Sequence, residues 1–362
     1  MITIPVPIPG RAYDVRIARF KSSAEVADAI ADALGRVSGV AVLVDETVGQ
    51  RSPRVAPLLD ALAARLPNVR RYDLPGGEAC KNLREIERTT DWLAAQGFDR
   101  GAAVVGVGGG AAGDHAGFAA AIYLRGIRFA LCPTTLLAMV DASVGGKTAV
   151  DLAAGKNLVG AFHQPRAVVA DLSFLDTLPA RERIAGLAEV VKAGLIADVA
   201  LLERLEADGD ALASGAVDDG LAQVIAAAVR VKAEVVTEDE RESGRRAILN
   251  FGHTVGHALE AASDYALLHG EAISLGMMAA LSLGVALNLT PAVVHDRARK
   301  LLSRLGLPID VAGRLNNQVV ARIDVDKKRQ SDAVRFVFVT QPGSTHLQDV
   351  PLTELRRRLL PS

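Results

Sequence analysis

Residues 102–123, AAVVGVGGGAAGDHAGFAAAIY, hold the reading that decides the fold. The apolar run 102–107 has the length and content of a buried strand, and 113–123 reads as a helix. Between them Gly108, Gly110 and Gly113 match the GxGxxG spacing. Such glycines let backbone N–H groups approach a diphosphate at a helix N-terminus. The same pattern also fits a tight strand–helix turn with no ligand. The acidic residue expected at the end of the next strand is missing, since that strand closes in Cys132-Pro133. If a dinucleotide binds, it does so in a variant arrangement. Its ribose and base contacts would be Asp45, after the first strand, and Glu78 with Lys81 in PGGEACK.

The same alternation extends outward. Segments 40–45 and 69–74 read as strands, 55–66 and 83–96 as helices, and 129–132 and 168–171 as further strands. Strands and helices alternating at these lengths predict a parallel sheet covered on both faces. From about 177–179 onward the pattern is helix after helix: 181–196, 217–236, 245–262, 273–287 and 292–305. A short strand, 334–339, follows. The expected fold class is an α/β N-terminal dinucleotide-binding domain (1–177, a Rossmann-like variant) plus a mostly α-helical C-terminal domain (178–362) for metal and substrate. A cleft between domains is the usual place for a ligand.

Composition narrows the function. The chain has 362 residues, enough for two cores, with a formal net charge of −1. No basic run is interleaved with aromatics, so a nucleic-acid partner is not suggested. Cys80 and Cys132 are the only cysteines and suit a reducing cytosol. The first residues lack a charged-then-apolar signal pattern, and a cytoplasmic location is expected. Segment 272–289 carries no charge, but its Ala, Gly and Ser content reads as a core helix rather than a bilayer span.

Arg246, Asn250, His253, His257 and Glu260, in RRAILNFGHTVGHALE, fall at steps of four, three, four and three. On a single α-helix those steps share one face, with apolar residues on the others. A polar stripe inside a core needs partners, and a metal with an anionic ligand would supply them. His269 and Glu189 complete the metal hypothesis. Glu189 lies in the apolar helix AGLAEVVKAG with Lys192 one turn on, so a buried Glu–Lys pair with no metal is the alternative. The glutamate of a metalloprotease HExxH is absent. One histidine of the pair can bind metal while the other moves protons.

The loop PTTLLAMVDASVGGKTAV adds Thr134 and Thr135, Asp141 and Lys147, and GKN adds Lys156 and Asn157. Thr134 and Thr135 can simply cap a helix. Lysines on Gly-rich loops can reach an anion. Lys232, Glu242 and the late DKK (Lys327, Lys328) extend the polar set. A metal, a proton acceptor and several cations suit a small, multiply anionic substrate such as a carboxylated sugar phosphate.

Together these segments resemble the 3-dehydroquinate synthase family of the sugar phosphate cyclase superfamily. The matching pieces include PGGEACKN, GGGAAGDHAGFAAAIYLRG, the lysine loop, GKNLVGAFHQP, GLAEVVKAGLIAD, the histidine segment, HGEAISLGM and DKK, in order from about 75 to 328. The resemblance implies conversion of a seven-carbon ketoaldonate phosphate to 3-dehydroquinate and phosphate in the shikimate pathway. NAD would be consumed and regenerated in each turnover. It implies a divalent metal, zinc or cobalt, on Glu189, His253 and His269. It implies NAD contacts at Asp45, Glu46, Thr47, Glu78, Lys81, Gly109, Gly110, Asp114, Thr134, Thr135, Lys156 and Phe174–Thr177. Substrate would meet Asp141, Lys147, Asn157, Lys192, Lys232, Arg246, Asn250 and Lys328 or its neighbour, with Arg125 from a second subunit of a homodimer. Glu242 and His257 would transfer protons. Ala193 departs from the aromatic residue common in relatives, and RQSDAV after DKK lacks the usual glycine. The GGK loop fits dehydroquinate synthases better than valiolone- or scyllo-inosose-forming cyclases. An amino-dehydroquinate synthase remains the alternative. A metal-dependent polyol dehydrogenase of the glycerol dehydrogenase type fits less well, because glycerol offers no anion to four cations.

Overall fold

The computed structural model describes residues 1–327 and 333–359. Its chain forms two compact units, Met1–Pro179 with Val217–Arg241, and Ala180–Ala216 with Glu242–Ser362.

The first unit is built on a seven-stranded sheet. Its strands are β1 (Ile2–Val6), β2 (Tyr13–Ala18), β3 (Val40–Asp45), β4 (Val69–Leu74), β5 (Ala103–Gly108), β6 (Arg128–Pro133) and β9 (Ala167–Asp171), in the order β1-β2-β9-β6-β5-β3-β4. A separate hairpin pairs β7 (Lys147–Leu152) with β8 (Gly155–Phe162). Only β1 runs antiparallel to its neighbour within the sheet. Strands β3, β5 and β9 are buried at every residue, as a sheet covered on both faces requires. From β3 the chain steps outward to β4, then crosses back to β5 on the other side of β3. The winding therefore reverses between β3 and β5. In open α/β sheets ligands bind outside the carboxyl ends of the strands at such a reversal. Asp45 ends β3 and Gly108 ends β5 at that point. Gly108 is required there for space, because a Cβ would lie 2.6 Å from Ala112 Cβ and 3.0 Å from Asp45 Cβ.

The helix Asp219–Glu238 packs on β1, β2 and the Ala138–Ala142 turn. Its buried face includes Leu221, Val224, Ile225, Val229 and Lys232. The compact units thus differ from contiguous halves 1–177 and 178–362 by this helix. The reason is the N-terminal hairpin β1–β2, which sequence reading passed over and which supplies an apolar edge for the helix to cover.

The second unit packs helix Ala180–Ile196 and helix His253–Ala262 on helix His269–Ala286. Helices Val199–Ser214, Ala292–Arg304, Asn317–Lys327 and Leu352–Leu359 and a hairpin of Ala333–Gln341 with Ser344–Pro351 complete it. Sequence reading missed helix Val199–Ser214 and the second hairpin strand. Of the 18 residues of His269–Ala286, 72% are buried within the chain, which accounts for its apolar length as core.

One expectation is corrected. The segment 245–262 is not a single helix. Arg245–Asn250 is a 3-10 segment, and the α-helix starts at His253. The break is at Gly252, whose φ is +80° and whose Cβ would meet Met277 Cγ at 2.7 Å. The close crossing with helix His269–Ala286 takes that left-handed glycine and forbids a continuous helix. Arg246 and Asn250 therefore leave the helical face that carries His253, His257 and Glu260. Gly252→Ala is expected to destabilise the fold by about 2 to 4 kcal/mol, from positive φ and overpacking together. A urea midpoint equal to that of the parent chain would contradict this origin of the break.

Candidate active site

The buried helix Ala180–Ile196 brings Glu189 and Lys192 to one face, each 3% exposed. His253 begins its helix and His269 begins the next. Glu189, His253 and His269 each offer one ligand atom, and these atoms lie within 4.8 Å of one another. Both imidazoles turn Nε2 to the carboxylate: His253 at 3.6 Å and His269 at 3.5 Å from Glu189 Oε1. Both hold Nδ1 on a second partner. His253 Nδ1 meets the Phe251 carbonyl at 3.1 Å, and His269 Nδ1 meets Glu260 Oε2 at 3.4 Å. An acceptor at Nδ1 fixes the tautomer and frees the Nε2 lone pair.

Lys192 Nζ pairs with Glu189 Oε2. Even so, neither buried Glu189 oxygen accepts a hydrogen bond of good geometry. Such a carboxylate is underserved by protein alone. Two oriented imidazoles and an underserved carboxylate form a donor set that fits a divalent cation. Electrostatics agree for two of the three. Burial would raise the Glu189 carboxyl, but Lys192, His269 and His253 together hold it well below the usual range. Burial, with Lys192 beside it, pushes His253 well down, so that ring is neutral. His269 goes the other way. Burial opposes its charge, yet Glu189 and Glu260 push it up to about 9. A proton then sits where a cation would compete for the same electrons.

His257 is exposed, with its ring 5.1 Å from that of His253 and 5.9 Å from that of His269. It stands beside the trio with access to solvent, unlike a ligand and unlike a core residue. Arg246 is 2% exposed, whereas Asn250 is exposed and donates to Glu242 Oε1. Glu242 adopts a φ of +59°. Helix Ala180–Ile196 packs on the 245–250 segment. The structure thus gathers Glu189, Lys192, His253, His257 and His269, and links Asn250 to Glu242. Lys328 lies outside the described residues. Glu260 stood on the stripe with no assigned role; its spacing from His257 was visible, its contact with His269 was not.

In the first unit the glycine loop forms a narrow crevice with Pro133, Ala138, Ala142 and Ser143. Gly109 is the N-cap of the helix Gly110–Ile122, and Gly110 is its first residue. Thr134 donates its backbone N–H to the Gly108 carbonyl, and its buried hydroxyl has no protein partner. Thr135 caps the following turn through Ala138 N. No acidic residue ends β6, whereas Asp45 closes β3, the neighbour of β5 on the other side. Both its oxygens are engaged, Oδ1 by Thr47 N and Val48 N, Oδ2 by Gly77 N at 3.0 Å. Glu46 Oε1 accepts from Gly76 N, and Thr47 packs against Gly76. Lys81 Nζ, 6% exposed, bonds Asp114 at 2.8 Å and Asn157 at 2.6 Å. Lys156 lies 3.7 Å from Glu78. Lys232 donates to the Asp141 carbonyl at 2.6 Å and to its carboxylate. Asp141 sits on a π turn, Ala138–Ala142, a geometry common at functional sites. Lys147 and Arg125 are exposed at the surface of this unit. Phe174 places its ring in the core at 2% exposure and its carbonyl accepts from the Thr177 hydroxyl, while Thr177 is exposed.

The chain is similar to 2-deoxy-scyllo-inosose synthase complexed with carbaglucose-6-phosphate, NAD+ and Co2+, with a TM-score of 0.87, 27% identity and 99% of each chain covered. It is also similar to 2-epi-5-epi-valiolone synthase from Streptomyces hygroscopicus subsp. jinggangensis 5008 with NAD+ and Zn2+ bound, with a TM-score of 0.85, 28% identity and 96% and 95% of the two chains covered. The fold is that of the dehydroquinate synthase-like two-domain enzymes. The 3-dehydroquinate synthase N-terminal family model matches residues 71–185 and the C-terminal one residues 186–329. The 3-dehydroquinate synthase of Rhodospirillum rubrum (strain ATCC 11170) is 48% identical over 332 residues, covering 89% of this chain and 85% of that one. The chain belongs to the 3-dehydroquinate synthase family.

Asp114 supplies a pH test of the first unit. Burial, opposed by Lys81, pushes its carboxyl from an ordinary 3.8 up to about 6. A folded value above the unfolded one means stability is fullest below pH 4 for this group and is lost as pH rises through about 6, on the order of 2 kcal/mol. Asp114→Asn should abolish that component, seen as a flatter urea midpoint between pH 4 and 7. Identical slopes in both proteins would remove the assignment.

Proposed function

We propose that this chain is a 3-dehydroquinate synthase that converts 3-deoxy-D-arabino-heptulosonate 7-phosphate to 3-dehydroquinate and phosphate. The observation that carries the reading is the Glu189–His253–His269 cluster with Lys192 against it. Those three residues would hold the divalent cation, zinc or cobalt, and the glycine loop with Asp114, Lys81, Thr134 and Thr135 would hold NAD. The cation would supply a Lewis acid for a substrate hydroxyl, and NAD would supply a hydride acceptor before phosphate elimination and a hydride donor after it.

The chain's own groups do the rest. Lys147, Lys192, Lys232, Arg246 and Lys328 neutralise phosphate and carboxylate as charge moves. Asp141, Asn157 and Asn250 orient hydroxyls. His257, exposed beside the two oriented imidazoles, exchanges protons with solvent, and Glu242, hydrogen-bonded to Asn250, is the second proton-transfer group. An amino-dehydroquinate synthase is the second reading, from which the GGK loop does not separate this chain.

Phosphate release from this substrate with catalytic NAD tests the reading. Turnover is expected, EDTA should abolish it, and zinc or cobalt should restore it. Undiminished activity after thorough chelation would refute the metal assignment. His253→Ala should lose metal, whereas His257→Ala should keep it and turn over about 100-fold more slowly. Equal metal loss in both variants would overturn the division of roles.

We also propose a cytoplasmic homodimer in which Arg125 enters the site of the other copy. Ile122, Leu124, Leu158 and Phe162 expose apolar side chains (43, 38, 57 and 41%) on helix Gly110–Ile122, its following turn and β8, which packs on that helix. Leu124 and Arg125 hold positive φ of 49° and 69°, strain of the kind kept at functional positions. Leu158→Glu should shift sedimentation from dimer to monomer; a monomeric parent chain would sink this part.

A further inference from the structure

His115 has no exposed surface, yet both of its ring nitrogens are engaged. It lies on helix Gly110–Ile122, directly after Asp114. Nδ1 is 2.8 Å from the Cys80 carbonyl, and Nε2 is 2.8 Å from the Thr89 hydroxyl. A carbonyl only accepts, so Nδ1 carries the hydrogen. In the neutral ring Nε2 then accepts from Thr89, itself fully buried. Burial pulls the imidazole down to about 4, which keeps the ring neutral at ordinary pH.

The carbonyl that His115 holds has a particular place. Lys81 has φ −83° and ψ 59°, and Asn82 N donates to Cys80 O at 3.0 Å. Lys81 is therefore the central residue of an inverse γ-turn, a conformation closed by one bent bond. His115 is the second donor to that same carbonyl. The short turn Gly77–Cys80 is tied at its other end by Asp45 Oδ2 on Gly77 N. Its outgoing lysine reaches Asp114 and Asn157. Side chains fasten the segment at Gly77, Cys80 and Lys81, and Asp151 N adds a backbone bond to the Lys81 carbonyl at 2.9 Å. Two of the three side-chain ties come from consecutive residues of the helix that follows the glycine loop. All lie where the strand order reverses between β3 and β5, the ligand end of such a sheet.

We infer that His115 is a positioning residue for dinucleotide binding: by donating to the Cys80 carbonyl it stiffens the γ-turn that presents Lys81 beside Asp114 at the glycine loop. It touches no ligand and acts through Lys81. An apolar side chain at 115 fills the space but removes the second donor to the Cys80 carbonyl; the turn keeps Asn82 N on that carbonyl and Asp151 N on the Lys81 carbonyl, and Lys81 is held less firmly beside Asp114. The inference rests on the nucleotide-site reading above.

The test is calorimetric titration of NAD into the parent chain and into His115→Leu, His115→Gln, His115→Asn and Lys81→Met. Asn places its amide N–H near Nδ1 and keeps the Cys80 contact, whereas Gln reaches toward Thr89 instead. His115→Leu and His115→Gln should bind NAD about tenfold more weakly, and His115→Asn should stay within about twofold of the parent. In steady state the rise in NAD KM should exceed any fall in kcat, with zinc content unchanged. Amide hydrogen exchange over 77–82 should quicken in His115→Leu and His115→Gln alone. Parent-like NAD affinity in His115→Leu overturns the inference, as does parent-like affinity in Lys81→Met. If His115→Leu does not fold, equal affinities in His115→Asn and His115→Gln overturn it. A parent chain that binds no NAD removes the site reading and this inference with it. A parent that binds NAD beside an indifferent His115→Leu removes this inference alone.

Discussion

A carboxylate kept ionised in the middle of a helical core is the constraint on which the second unit turns. Glu189 is 3% exposed and has Lys192 against one oxygen and two imidazole nitrogens facing the other. Burying such a charge is tolerable only with close opposite charge and ligands, and removing one partner of a buried pair costs about 3 to 5 kcal/mol. The helices that meet here are therefore held to one mutual arrangement. The Gly252 break and the close crossing of the two histidine helices serve the same end. They bring His253 and His269 to the start of their helices, where each ring can face Glu189 while its second nitrogen rests on Phe251 O or Glu260.

The first unit solves a different problem with backbone. Its ligand end is made where two buried strands, β3 and β5, end side by side, so that glycines and an aspartate meet with almost no side-chain volume between them. Asp45 uses both oxygens on backbone N–H groups and thereby joins the 45–48 turn to the 76–77 turn. Lys81, Asp114 and Asn157 then join that assembly to the glycine-loop helix and to β8. A rigid rim of this kind lowers the cost of ordering a ligand's contacts.

Much of this could be read from residue order. Continuous Val/Ala runs gave away β3, β5 and β9, because strands buried on both faces need no alternation. A carboxylate in AGLAEVVKAG and histidines within helices are so costly when unpaired that convergence was the economical expectation. Less legible were features that depend on a partner distant in sequence. The 245–262 periodicity suits one helix, and only the crossing against Met277 shows why Gly252 must break it. Helix Asp219–Glu238 looks like its C-terminal neighbours, yet it covers β1 and β2.

Residue types and spacing alone picked out the candidate groups: a carboxylate, three imidazoles, the lysines and the glycine loop. These identities follow from local rules, the period of a helix or strand and the cost of burying polarity. Sheet order and helix crossing settled who meets whom. Asp45 became the acidic neighbour of the glycine loop because β3 lies beside β5, and Glu260 became the second partner of His269 because two helices cross closely. Such pairings arise from packing between distant segments, whose register no local pattern encodes.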